Sequence, residues 1–162
     1  MRILGVDPGS RRTGYGLIDV HRGGRLTHVD NGLIAPKEKD FAARLNALFD
    51  GLQAIIRKYH PEQAAMEDVF MARNAASALK LGQARGALIT ACTQAGLSVT
   101  PYAPTRIKQT VAGFGRAEKH QIQHMMKLLL RLPEMAQEDA SDALAVAVCH
   151  AHHLPAKRGM AA

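Results

Sequence analysis

The chain has no tryptophan, only two cysteines and few aromatic residues, Phe, Tyr and Trp together making up 4% of its 162 residues. Cys92 and Cys149 lie far apart and outside any C-x-x-C spacing, which excludes a disulfide framework and a cysteine-built zinc site. No apolar run approaches the roughly 20 residues of a membrane-spanning helix. Strand-like sequence begins at Arg2 with no small-residue cleavage pattern, so a cytoplasmic location without a membrane partner is expected. Negative charge is also in short supply: Asp and Glu number 14 against 21 Lys and Arg, a formal charge of +7. That balance favours a polyanionic partner, nucleic acid ahead of an anionic membrane. The remainder, 47% apolar and 22% charged, suits one globular domain. It is expected over residues 1–154, with "PAKRGMAA" (155–162) as a disordered tail.

The opening "MRILGVDPGSRRTGYGLIDV" reads as a strand from Arg2 to Asp7, a glycine-rich turn and a second strand through "YGLIDVH". In the turn, Asp7 before Pro8 and Gly9 is ordinary turn chemistry, with the carboxylate capping backbone N–H groups and Gly9 supplying a positive φ. Gly23 and Gly24 then form a hairpin turn into a third strand, "RLTHVDNGLIA". From Asp40, Phe41, Leu45, Leu48, Leu52 and Ile55 recur at helical spacing up to Pro61. "QAAMEDVF" is a fourth strand, "NAASALKLGQARGALITACTQAG" a long helix, "LSVTPYAP" a fifth strand, and three helices follow, the last from about Asp139 to His153. Three hairpin-linked strands followed by helical crossovers place strand four parallel to strand one and beside it. Asp7 and Glu67 then end neighbouring strands on one sheet edge, where open α/β sheets put ligand-binding groups.

The last helix begins "EDASDALAVAVCHAHHL", and Asp139 and Asp142, three apart, share one face. Capping alone would account for them, with Asp139 as N-cap and Asp142 at the third position. Glu67 stands among apolar neighbours in "AAMEDVF", where an unpaired charge is costly. Four carboxylates gathered on one edge would repel by up to roughly 4 kcal/mol per close pair at an effective dielectric near 20, and cations must offset that. An all-oxygen set without cysteine or convergent histidines points to magnesium or manganese. Two such ions about 4 Å apart activate a water on one side of a phosphodiester and stabilise the leaving oxygen on the other. In a basic chain, the expectation is a nuclease.

Four stretches, "GVDPGSRRTGYG", "MEDVFMARNAASALKLGQARG", "RIKQTVAGFGRAEKHQIQHM" and "DASDALAVAVCH", together resemble the RuvC family of bacterial Holliday junction resolvases, from about Ile3 to His153. The resemblance implies an α/β, ribonuclease H-like fold, a mixed five-stranded sheet flanked by helices. It further implies a homodimeric, metal-dependent endonuclease that resolves four-way DNA junctions by paired symmetric nicks in recombination and repair. By motif, the catalytic metal ligands are Asp7, Glu67, Asp139 and Asp142, holding two Mg2+ per subunit with Mn2+ able to substitute. RuvA and RuvB, the branch-migration proteins, are the implied partners.

Phe70, three residues past Glu67, would by residue type fill the core. The resemblance makes it an aromatic that contacts bases at the junction, where a ring stacks on an unpaired base. Arg73 beside it is a phosphate-contact candidate. Lys108 and Lys119 read as surface charges by themselves; by resemblance they lie near the scissile phosphates. Arg11 and Arg12 are further phosphate candidates. His150, His152 and His153 read as cations favoured at a helix C-terminus. Ala78, Gly82, Gly86 and Thr90 repeat every four residues and make a smooth helix face, packed on its own sheet or, as the resemblance implies, part of a two-fold interface. Two rivals remain. "DPGSRRTG" also resembles the phosphate-binding turn of actin-like ATP-binding proteins, which need a second lobe. A related ribonuclease H-like nuclease acting on RNA or flaps is nearer.

Overall fold

The computed structural model describes residues 1–69 and 74–155. Strands β1 (Arg2–Asp7), β2 (Thr13–Val20) and β3 (Leu26–Ile34) form an antiparallel meander; β4 (Gln63–Glu67) and β5 (Val99–Tyr102) add parallel to β1 on its other side, in the order β3-β2-β1-β4-β5. The β2–β3 turn is a 3-10 turn in which Gly23 and Gly24 take φ of 80° and 81°, a region that favours glycine. Helix α1 (Phe41–Tyr59) starts where the Asp40 carboxylate accepts the Ala43 N–H at 2.9 Å, and ends at His60 in the left-handed region, just before Pro61. Helices α2 (Ala75–Gln94), α3 (Pro104–Ala112), α4 (Lys119–Leu129) and α5 (Glu138–His153) complete the fold.

Central β1 is apolar on both faces because it is covered on both. Leu4 and Val6, with Leu17, Ala64 and Met66, pack against Leu48 and Leu52 of α1 and Ala84 and Leu88 of α2. Ile3, Ile18 and Ala65 pack the other way, against α3, α4 and α5. This alternation fixes the next residue of interest. Asp7 follows Ile3 and Gly5 on the α5 face, and Glu67 follows Ala65 on it. The two are one step beyond the Val6–Met66 pair of the parallel register.

Helix α5 lies directly on a patch of glycine. Gly5 pairs with Gly16 across β1 and β2, and Asp7 pairs with Gly14. A Cβ on Gly5 would run into the Ala143 carbonyl, one on Gly16 into the Leu144 backbone, and one on Gly14 into the Asp139 carbonyl. The helix backbone therefore rests on the sheet backbone, and every residue from Ala143 to His150 is buried.

Several sequence expectations are corrected. Strand β4 stops at Glu67, short of the expected Phe70, and Arg85 holds its end: Arg85 Nε donates to the Glu67 carbonyl at 3.3 Å, and the guanidinium pairs with Asp68 at 3.4 Å. Gly9 does not take a positive φ. It is needed for room, since a Cβ there would meet the Arg12 carbonyl, and Thr13 closes the turn by donating to the Gly9 carbonyl at 3.2 Å. His150 is not a C-terminal cation. It is buried, its Nδ1 2.8 Å from the Tyr102 hydroxyl and its Nε2 2.6 Å from Gln63 Oε1, and burial lowers its pKa. One donor and one acceptor matched in this way fit the neutral Nε2–H tautomer. The smooth face of α2 does not pack on its own sheet, because Ala78, Gly82, Gly86 and Thr90 are exposed while Ala84, Leu88, Ala91 and Cys92 turn inward. Among the described residues no helix is long and apolar enough to cross a membrane.

Candidate active site

Three of the four expected carboxylates meet. Oxygen atoms of Asp7, Asp139 and Asp142 lie within 4.8 Å of one another at the carboxyl edge of the sheet, all partly buried. Glu67 ends the neighbouring strand, close enough for its carboxylate to raise both Asp7 and Asp142. Asp7 is pushed up to about 9, first by burial, then by Glu67 and by repulsion from Asp142 and Asp139. Asp142 rises to about 6, chiefly through burial and the Glu67 charge, with Lys119 opposing.

Neither bland role survives in these residues. The N-cap of α5 is Gln137, whose side-chain oxygen accepts the Ala140 N–H at 3.1 Å, not Asp139. With Glu138 as the first helical residue, Asp139 is second and Asp142 fifth, past the orphan N–H groups that a cap serves. Among the described residues, no backbone N–H donates to Asp7, so it does not cap its turn. The result is a set of partly buried, anionic, hard oxygen donors whose charges the fold leaves largely uncompensated. That chemistry fits divalent cations that prefer oxygen, and among the described residues no cysteine or histidine joins the group to favour zinc.

Cations surround the edge. Arg12 Nε sits 2.7 Å from Asp139 Oδ2. Lys119, at the start of α4, pairs with Glu138, which raises its pKa, and the charges of Asp142 and Asp139 raise it further. Lys108 lies half-buried on α3, the helix that leaves β5 at this same edge, and has no ion-pair partner among the described residues. An open cavity of about 340 Å³ lies beside Asp7 and Asp139, lined also by Arg11, Arg12 and, from α2, Ser77 and Leu81. Phe70 and Arg73 lie outside the described residues, as does the expected tail apart from Pro155. Sequence reasoning missed Arg85 and Gln137. Arg85 carried a faint signal, as a long polar residue one position from inward-facing Ala84.

A mixed sheet of order β3-β2-β1-β4-β5 with acidic residues ending its adjacent central strands and a helix supplying two more defines a ribonuclease H-like protein. Residues 3–150 match the sequence profile of the family described as crossover junction endodeoxyribonuclease RuvC. The chain belongs to the RuvC family. A RuvC of that description from Citrifermentans bemidjiense is 62% identical over 153 residues, covering 94% of this chain and 93% of the relative. One from Geobacter sulfurreducens is 58% identical over 94% of this chain and 93% of its own. Thermus thermophilus RuvC, solved in complex with a Holliday junction substrate, superposes with a TM-score of 0.86 at 30% identity, covering 93% of both chains. The chain is thus a structure-specific DNA endonuclease, and divalent-metal dependence is general to its family.

Proposed function

We propose that this chain resolves four-way DNA junctions by paired symmetric nicks, as a cytoplasmic homodimer, with Asp7, Glu67, Asp139 and Asp142 holding two Mg2+ ions per subunit. The observation that carries the reading is the convergence of Asp7, Asp139 and Asp142 on the edge where Glu67 also ends, in a chain of net charge +7. Bound divalent cations supply an activated water and charge stabilisation for the leaving oxygen. The protein's own part is to hold the four acids at fixed spacing on rigid elements, with Gly14 and Gly16 setting the height of Asp139 and Asp142 above Asp7. Lys119, Lys108 and Arg11 attract and seat phosphates around that point. Phe70 stacks on a junction base and Arg73 contacts a phosphate.

The exposed Ala78, Gly82, Gly86 and Thr90 face supports the dimer, since small residues permit close helix approach. Two symmetric nicks call for two related sites. RuvA and RuvB are the proposed partners in branch migration. The test incubates the protein with a synthetic four-way junction, a linear duplex, a flap and structured RNA, with and without Mg2+, and maps every cut. Paired nicks confined to the junction and abolished by chelation are expected. Undiminished cutting in excess chelator overturns the metal reading, and preferred cutting of flaps or RNA assigns the nuclease to another substrate. Sedimentation gives the oligomeric state, and a monomer that cuts both strands in one encounter overturns the dimer.

A further inference from the structure

Arg12 is ion-paired with a group that a cation would need. Its Nε is 2.7 Å from Asp139 Oδ2, an ion-pair contact. The Arg12 side chain is 58% exposed against 22% for Asp139, so the guanidinium can swing away without disturbing packing while the carboxylate cannot. Among the described residues Arg12 has no second ion-pair partner, and it faces the open cavity with Arg11. Guanidinium and cation compete for the charge of one carboxylate, since a guanidinium 2.7 Å from one of its oxygens offsets the negative charge that would draw the metal. A phosphate is the one ligand of a polyanionic substrate that offers Arg12 an equal or better bidentate partner.

We propose that Arg12 is a displaceable counter-charge that couples metal loading to DNA: it neutralises Asp139 when no substrate is present and passes to a backbone phosphate when DNA arrives, freeing the carboxylate for the cation. The inference rests on the reading of Asp139 as a metal ligand. Arg12 is then a positioning residue, acting on the chemistry through Asp139. By linkage, phosphate binding tightens metal binding and metal binding tightens phosphate binding by the same factor. The idle enzyme is thereby held below full metal occupancy, which limits cutting away from its substrate.

The test is Mn2+ titration of the full-length protein, followed by the electron-spin-resonance signal of free aquated Mn2+, alone and with a junction carrying uncleavable phosphonate linkages around its crossover. Arg12→Ala is expected to tighten Mn2+ binding without DNA by roughly two- to fivefold, the range of an exposed ion pair. The tightening produced by the junction should shrink by the same factor, and Arg12→Lys should stay near wild type. Unchanged or weaker Mn2+ binding by Arg12→Ala without DNA overturns the proposal, as does an undiminished junction effect. Asp139→Asn separates the two levels. If it leaves Mn2+ binding of the otherwise native protein untouched, the ligand reading itself has failed; if it weakens binding while Arg12→Ala does nothing, only the coupling has.

Discussion

Helix α5 carries polar residues at both ends, and the two ends are finished differently. At its C-terminal end His150 is enclosed by the protein, its two ring nitrogens matched by the Tyr102 hydroxyl and the Gln63 amide oxygen. At its N-terminal end Asp139 and Asp142 meet Asp7 and, beside it, Glu67, acceptors facing acceptors. One end is a closed hydrogen-bond chain between donors and acceptors in balance. The other crowds acids on a rigid frame beyond what Arg12 and Lys119 offset, and leaves the remainder for something from outside to balance. Burial of polar groups therefore does not by itself mark a functional site; the mismatch between the groups buried together does.

The comparison breaks first at Asp7. Asp7→Asn keeps shape while removing one of the repelling charges, so nicking of a four-way junction should fall by at least about a hundredfold, with the melting temperature of the metal-free protein rising. Near wild-type nicking on a sequencing gel would make Asp7 a turn residue.

At the other end, His150→Ala strips partners from Tyr102 and Gln63 and should cost roughly 1–3 kcal/mol of stability in urea unfolding. The folded fraction should keep its nicking rate. A neutral effect on stability would mean water replaces the ring, and the chain is less closed than its distances imply.

Acidity sharpens the contrast, because the two ends respond to pH with opposite sign. Asp7 and Asp142, with raised pKa values, hold protons in the folded state that the unfolded state has released, so metal-free stability falls as pH rises from about 4 toward 9 for Asp7 and toward 6 for Asp142. His150, with a lowered pKa, contributes stability that is present above about 6.5 and lost as pH falls through its folded value. Melting curves across pH should lose the part of their descending limb above about pH 6 in Asp7→Asn, where Asp142 still accounts for the rest, and their ascending limb near neutral pH in His150→Ala. Mg2+ added at pH 8 should raise the wild-type melting temperature and release protons.

The smallest effect is expected at Lys119, whose side chain is 71% exposed. Lys119→Met should weaken junction binding a few-fold and lower the salt slope by about one, if it seats one phosphate. A fall in activity with an unchanged salt slope would place its role in the chemistry.

Much of this was legible before the structure. An apolar run and the Asp-Pro-Gly turn placed Asp7 at a strand end, and helical crossovers put Glu67 beside it; the sheet confirms both. The i, i+3 spacing of Asp139 and Asp142 gave one face. Which interaction claimed that face was not legible, because helix start shifts by two residues between Gln137 and Asp139 as caps, a choice decided by the seat of α5 on the sheet. His150 misled for a related reason. Its neighbours suggested a solvated helix end, whereas α5 is central and buried along its length, so a histidine on its inner side must find partners. The exposed small-residue face of α2 was visible as a pattern, but which side of the helix faced inward depended on tertiary packing.

The glycines beneath α5 have a consequence in the language of genetics. Because Asp139 stands on Gly14 backbone to backbone, the distance between the acids of the sheet and the acids of the helix is set like a machined spacer, with no side chain to compress. A single methyl at Gly14 has nowhere to go except to lift the first turn of the helix and carry two carboxylates with it. A screen for null alleles would thus return Gly14 alongside Asp7 and Glu67, though glycine donates nothing to the reaction. The same screen would be blind to most aliphatic exchanges in the core clusters, whose side chains can repack. The loci intolerant of change would trace a short ridge of backbone leading to the acids.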